Sequence, residues 1–243
     1  MTKSDAFGTP QPPKSLPDLL QSFLAGKKGI EIGGPSYMFR MILPIYHLMD
    51  SLDCVNFSPD TIWEGSIKAG QSFNYFENKT GTQFISDGTD LAGIESGTYD
   101  FLLSSNCLEH IANPLKALKE WKRVLKDTGF MLLVLPVKEN NFDHRRPVTS
   151  FEHLLEDLIN QTTEKDMTHL DEILTLHDLA MDPPAGNIEQ FRLRSLDNFN
   201  NRTLHHHVFD FPLIKRMLEY ANFEVINMAK SDTDFFALAV LRI

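Results

Sequence analysis

Cysteine is nearly missing from this chain of 243 residues: Cys54 and Cys107 are its only two. Two thiols cannot build a disulfide framework, so a reduced, cytoplasmic protein is expected. Basic charge is scarce as well. Lys+Arg 23 against Asp+Glu 33 leave a formal net charge of −10, which repels a polyanion and argues against a nucleic-acid partner. No apolar run approaches the roughly 20 residues of a membrane helix. The longest, Phe130 to Pro136, reads FMLLVLP. The opening stretch MTKSDAFGTPQPPK has no apolar core, so neither export nor a membrane partner is expected. Sequons begin at Asn78, Asn160 and Asn201, and without export they read as chance matches. Internal repeats and low-complexity tracts are absent. So is the G-x-G-x-x-G fingerprint of dinucleotide-binding folds.

What the chain does have is a succession of short apolar runs closed by turn residues. Lys28-Gly29-Ile30-Glu31-Ile32 ends at Gly33-Gly34-Pro35-Ser36. Leu52 to Phe57, Thr82 to Ser86, Tyr99 to Ser104 and Phe130 to Leu135 follow, each with small or polar residues behind it. Continuous bulky runs of this length mark strands buried on both faces of a parallel sheet. The strongest helix signal lies between the last two runs. Asn113 is an N-cap, Pro114 fits the first turn, Leu115, Leu118, Lys122 and Leu125 share one side, and Gly129 is placed as a left-handed terminator. Strand, helix and strand make a right-handed βαβ unit.

Residues 1–14, with Pro10, Pro12 and Pro13, read as a flexible N-terminal arm, and 15–243 as one domain. Ser15 and Asp18 cap a first helix that Gly26 ends. Over about residues 137–210 the pattern gives way to loops and short helices. One of these is capped by Thr149 and Glu152, with Leu154, Leu155 and Leu158 inward. This stretch is expected to be a helical insertion acting as a lid. A last helix runs from Asp210 to about Ala221. Alternating strands over 223–229 and 235–242 then meet at Ser231-Asp232-Thr233 as an antiparallel hairpin. The aromatic group Trp63, Phe73, Tyr75 and Phe76 reads as core packing, with stacking beside a ligand base as the sharper alternative. The expected class is α/β, with five parallel strands, the hairpin and the insertion.

A glycine turn after the first parallel strand opens on the crevice where such sheets bind nucleotides. Glu31 precedes it, and a carboxylate there is expected to repel a pyrophosphate and to favour a cationic nucleoside. Taken with Asp87-Gly88-Thr89-Asp90-Leu91, Tyr99-Asp100-Phe101, Ser104 through Ile111 and the helix from Asn113, the chain resembles the class I S-adenosylmethionine (SAM) dependent methyltransferases, of the methyltransferase type 11 small-molecule kind. The resemblance covers residues 28–136 well and 205–242 loosely. It implies a Rossmann-like seven-stranded sheet, SAM as cofactor and S-adenosylhomocysteine as product. It also implies cofactor contacts from Glu31, Gly33, Gly34, Pro35, Asn56, Phe57, Asp87, Gly88 and Asn106. Asp87 would receive the adenine amino group, and Asn106 would line the pocket near the methionine part. Family members often carry an acid where this chain has Asn56-Phe57, and a further glycine where it has Pro35-Ser36.

Methyl transfer to oxygen or nitrogen is a direct displacement that aligns acceptor, methyl and leaving sulfur, with a base where the acceptor is a hydroxyl. His110, His144 and His207 are the candidate bases, and Arg145, Arg146 and His205 the candidate acceptor-binding residues. Alternation along a strand would send His205 and His207 to one face and His206 to the other. No third ligand for a metal is evident, so none is expected. The acceptor is expected to be a small molecule chosen by the insertion, and a homodimer is left open. The alternative is a SAM-binding or regulatory module of the same fold with little or no turnover.

Overall fold

The parallel strands arise where the apolar runs fall. In the computed structural model, which describes residues 15–242, they are β1 (Lys28–Ile32), β2 (Ser51–Asn56), β6 (Lys79–Ile85), β7 (Tyr99–Ser105) and β8 (Leu125–Pro136). β3 (Asp60–Thr61) and β4 (Gly65–Ser66) form a separate small ribbon, and β5 (Gly70–Phe76), β9 (Phe223–Lys230) and β10 (Asp234–Leu241) complete the main sheet. Its order is β5-β6-β2-β1-β7-β8-β10-β9. β1 lies parallel to β2 and β7, β2 to β6, and β7 to β8, while β10 runs antiparallel to both β8 and β9. The expected N-terminal arm, 1–14, lies outside the described residues.

An eighth strand joins the seven expected. β5 pairs antiparallel with β6 at the sheet's edge, because Phe73 and Tyr75 alternate inward while their neighbours face out. Both are core residues, as read from sequence. Trp63 is not: half of it is exposed.

Both faces of the sheet are covered. Leu102, Met131, Leu133 and Leu135 pack on one side against α2 (Pro114–Val124), α3 (Phe151–Asn160) and α7 (Phe211–Tyr220). Their alternates Phe101, Leu103, Phe130, Leu132 and Val134 pack on the other against α1 (Leu16–Leu24) and the turn holding Phe39 and Tyr46. Helix ends follow local chemistry. Ser15 caps α1, Asn113 caps α2 and Asp210 caps α7 through their side-chain oxygens. Two expectations are corrected. Gly129 is not a left-handed terminator: the chain passes from Val124 directly into β8, where a side chain on Gly129 would meet the Lys126 carbonyl at 2.7 Å. Ser150, not Thr149, caps α3, because Thr149 Oγ1 instead accepts the Val208 amide at 3.0 Å.

Between β8 and α7 lie α3, α4 (Leu170–Leu176), α5 (Ile188–Leu196), α6 (Asn198–Asn201) and several single turns. Their own apolar core is small: Ile173, Ala185, Phe191 and Leu204.

Candidate functional site

The carboxyl ends of all five parallel strands open into one cleft of about 790 Å³. Gly33 follows β1, Phe57 follows β2, Asp87 and Gly88 follow β6, Asn106 follows β7, and Pro136 ends β8; all line it. This is where an open parallel sheet binds ligands.

The turn after β1 is held from behind. Glu31 is fully buried; its Oε1 accepts the Ser36 amide at 3.1 Å and its Oε2 accepts the Tyr46 hydroxyl at 2.7 Å. Burial pushes its carboxyl up to about 7, against those two hydrogen bonds. Glu31 therefore does not line the cleft, and the expectation that its charge faces the ligand is corrected. Gly34 and Pro35 are also set back from the cleft. A side chain on Gly34 would strike the Glu31 carboxyl carbon at 2.3 Å, so its glycine serves the turn. Gly33 does reach the cleft, at φ +82°, with Cys107 Sγ 2.9 Å from where its Cβ would stand. Asn56 braces the same turn, donating Nδ2 to the Gly34 carbonyl at 2.8 Å.

On the neighbouring strands, Asp87 Oδ1 accepts from the Thr89 amide and hydroxyl, both at 2.8 Å, and Oδ2 lies 3.1 Å from Arg202 Nη2. The Gly88 carbonyl accepts from Trp121 Nε1 at 2.9 Å. Asn106 turns the chain at φ +47°, its amide donating to the Val134 carbonyl at 3.0 Å.

Trp63, Glu109, His110, Phe142, Arg202 and His205 also line the cleft. His110 Nδ1 lies 3.2 Å from the Leu204 carbonyl, and its ring centroid is 4.6 Å from that of His205. His205 Nδ1 is 2.5 Å from Asp143 Oδ2, and Arg146 Nη1 donates to the other carboxylate oxygen at 3.0 Å. Burial alone would raise Asp143, but His205 and Arg146 beside it hold it down at about 2. Burial opposes charge on His205, yet Asp143 lifts its pKa above the usual value. Burial and the neighbouring His205 push His110 well below it. Glu109 is buried and lifted to about 7, chiefly by desolvation, and its Oε2 has no hydrogen-bond partner among the described residues. Glu109, His110 and His205 each offer a ligand atom within 4.8 Å of the others and so could hold a cation.

Of the residues singled out in the sequence, Gly33, Asn56, Phe57, Asp87, Gly88, Asn106, His110 and His205 are brought together here. Four are not. His144 and Arg145 turn away to Asp178, at 2.9 and 2.6 Å. Arg146 is buried and spent on Asp143, Glu172 and the His205 and His206 carbonyls. His207 is buried against the Ala112 carbonyl at 3.2 Å. The expected alternation fails because residues 205–207 pair with no strand; each ring meets a different neighbour. Trp63, for which stacking beside a ligand base was the sharper alternative, lines the cleft, as do Glu109, Phe142 and Arg202. Glu109 falls within the stretch from Ser104 through Ile111 and Phe142 two residues before His144, whereas no motif marks Arg202.

Residues 51–133 match a family described as a methyltransferase domain. The fold is shared with a SAM-dependent methyltransferase from Aquifex aeolicus, at 13% identity and a TM-score of 0.50 over 93% of this chain and 90% of that one. Another from Methanosarcina mazei gives 14% and 0.51, over 93% and 97%. The trans-methyltransferase CalH, solved with SAH, gives 17% and 0.50, over 93% of this chain but 55% of its own. A search of the curated proteins finds no match. The chain thus shares its fold with solved SAM-dependent methyltransferases, and its residues 51–133 match a methyltransferase-domain family.

Proposed function

We propose that the protein transfers a methyl group from SAM to an oxygen or nitrogen of a small-molecule acceptor. The observation that carries this reading is one cleft lined both by the strand-end residues Gly33, Asp87, Gly88 and Asn106 and by the histidines His110 and His205. Its volume of about 790 Å³ falls within the ~300–1,000 Å³ typical of small-ligand sites. The residues present fit the cofactor. Bare backbone at Gly33 and Gly88 permits close approach, and Asp87, Asn56 and Asn106 offer polar partners. The unpaired, buried Glu109 Oε2 fits a cationic neighbour.

SAM supplies an electrophilic methyl on a sulfonium, and the sulfur keeps the electron pair of the broken bond. The chain's task is positioning. Asp87, with Gly88 beside it, would hold the adenine, and Asn106 the methionine part. Asp143 receives the Nδ1 hydrogen of His205, which leaves that ring's Nε2 for the proton of an acceptor hydroxyl, as a carboxylate orients a catalytic imidazole elsewhere. His110 stands against His205 as a neutral partner. Trp63 and Phe142 supply flat apolar walls for the acceptor.

Calorimetric titration with SAM and S-adenosylhomocysteine tests the site. Asp87→Ala is expected to weaken binding by roughly 1–3 kcal/mol, the loss of a charge-assisted hydrogen bond. Unchanged affinity would mean the nucleoside lies elsewhere. A panel of hydroxyl and amine acceptors tests turnover: binding without S-adenosylhomocysteine release would favour the regulatory-module reading.

A further inference from the structure

Three histidines outside the cleft turn their rings toward one another. His153 stands in the first turn of α3, His169 caps α4, and His207 lies in the extended segment leading to α7. Ring centroids are 4.8 Å apart for His153 and His169, 5.7 Å for His153 and His207, and 5.6 Å for His169 and His207. One ligand atom from each lies within 4.8 Å of the others, and the Nε2 atoms of His153 and His169 approach to 2.9 Å. Nitrogens around a tetrahedral zinc ion, at Zn–N of about 2.0–2.1 Å, stand roughly 3.3–3.4 Å apart. The ligand atoms, one pair at 2.9 Å and all within 4.8 Å, bracket that spacing.

Packing alone leaves the group incomplete. His207 is 1% exposed, and its Nδ1 has no hydrogen-bond partner among the described residues. Its other nitrogen is tied to the Ala112 carbonyl at 3.2 Å. Metal-binding imidazoles are held in this way, one nitrogen fixed by an acceptor and the other free for the ion. Asp157, one turn along α3 from His153, also has an unpartnered oxygen. Its Oδ2 lies 3.4 Å from His153 Nε2 and 3.5 Å from His207 Nε2. The sequence expectation of no metal rested on the lack of a third ligand, and the fold supplies two, His153 and His169, from elements 38 or more residues before His207.

We propose that His153, His169 and His207 bind a divalent transition-metal ion of the zinc type, with the Asp157 carboxylate at the Nε2 edge of His207 rather than on the ion. Three imidazoles suit zinc better than magnesium or calcium, which take all-oxygen shells. None of the four residues lines the cleft. The site therefore stands apart from the methyl-transfer reading. Its effect is mechanical: the ion ties α3, the start of α4 and the segment carrying His205 into one wall.

The test uses the full chain without a tag, stripped with a chelator and titrated with Zn²⁺ against a chromophoric competitor. Co²⁺ is followed in parallel by visible absorption. One ion per chain, a tetrahedral Co²⁺ spectrum and a raised Tm are expected. His153→Gln and His169→Gln, at partly exposed positions, keep the fold by circular dichroism. Each is expected to weaken the ion by at least about 100-fold, beyond the ~10–100-fold of an outer-shell change. SAM affinity of the same variants stays within about twofold, as expected of separate sites, so loss of metal leaves the proposed function untouched. Failure to take up either ion at one per chain would overturn the proposal. So would undiminished binding in both variants. Loss of binding in Glu109→Gln or His110→Gln instead would place the ion in the cleft and overturn it too.

Discussion

The two walls of the cleft each bury a carboxyl group and treat it in opposite ways. Glu31, behind the turn after β1, meets only neutral donors from Tyr46 and Ser36, and burial lifts it to about 7. Asp143, in the stretch between β8 and α7, is as deeply buried, yet His205 and Arg146 hold it down at about 2. The sheet wall is built on two large apolar clusters and can carry a neutral acid. Beyond α3, which packs into the first of those clusters, the insertion has a small apolar cluster of its own and is tied by ion pairs of the buried Arg146 and Asp143. Its shape therefore depends on charges staying paired, because an unpaired charge in such a place is costly.

The largest effect should come from the insertion. Arg146→Ala leaves Asp143 with His205 alone and strips the donor from two buried backbone carbonyls, and is expected to cost about 3–5 kcal/mol in urea unfolding. A cost under about 1 kcal/mol, the level of a surface pair, would erase the contrast between the walls. Next is the pH dependence of the sheet wall. Folding raises Glu31 from 4.5 to about 7, so the native state holds a proton that the unfolded chain has released. Its contribution is fully present below pH 4.5 and is lost as pH rises through 7, by up to about 3 kcal/mol. Unfolding Glu31→Gln beside the parent at pH 5 and pH 8 checks this, the variant being expected to show a flatter profile. Asp143 has the opposite sign: its contribution is present above 3.8 and is lost as pH falls toward 2.

The smallest effect lies at the seam. Asn113 caps α2 through Oδ1 and donates Nδ2 to the Asp157 carbonyl of α3 at 2.8 Å. Asn113→Asp keeps the cap and drops the donor, while Asn113→Ala loses both. Unfolding should separate the two by roughly 1 kcal/mol, the size of one hydrogen bond. No loss in Asn113→Asp relative to the parent would mean that the seam contributes nothing.

The sheet wall was legible because its signals are local. Phe130 to Leu135 is apolar throughout since alternate residues enter cores on opposite faces, and Asn113-Pro114 announces a helix within a few residues. β5 escaped notice because Phe73 and Tyr75 are only two inward residues among polar neighbours. Glu31 was placed correctly along the chain but aimed wrongly. Its partner Tyr46 comes fifteen residues later, and nothing near Glu31 says which way it turns. The insertion was least legible. His205 meets Asp143 across 62 positions and Arg146 meets Glu172 across 26, so spacing carried no sign that Arg146 is internal while Arg145 is exposed.

One stretch, 204–207, has consequences for traffic. The Leu204 carbonyl faces His110, His205 grips Asp143, the His206 amide donates to the Glu109 carbonyl, and His207 rests on the Ala112 carbonyl. Swinging that side outward would break all four attachments at once. Tyr37 and Ile42 border the same cavity with well over half of their surface exposed and take part in none of those four bonds. A guest reaching the cavity past them would meet an apolar edge and need not displace that stretch.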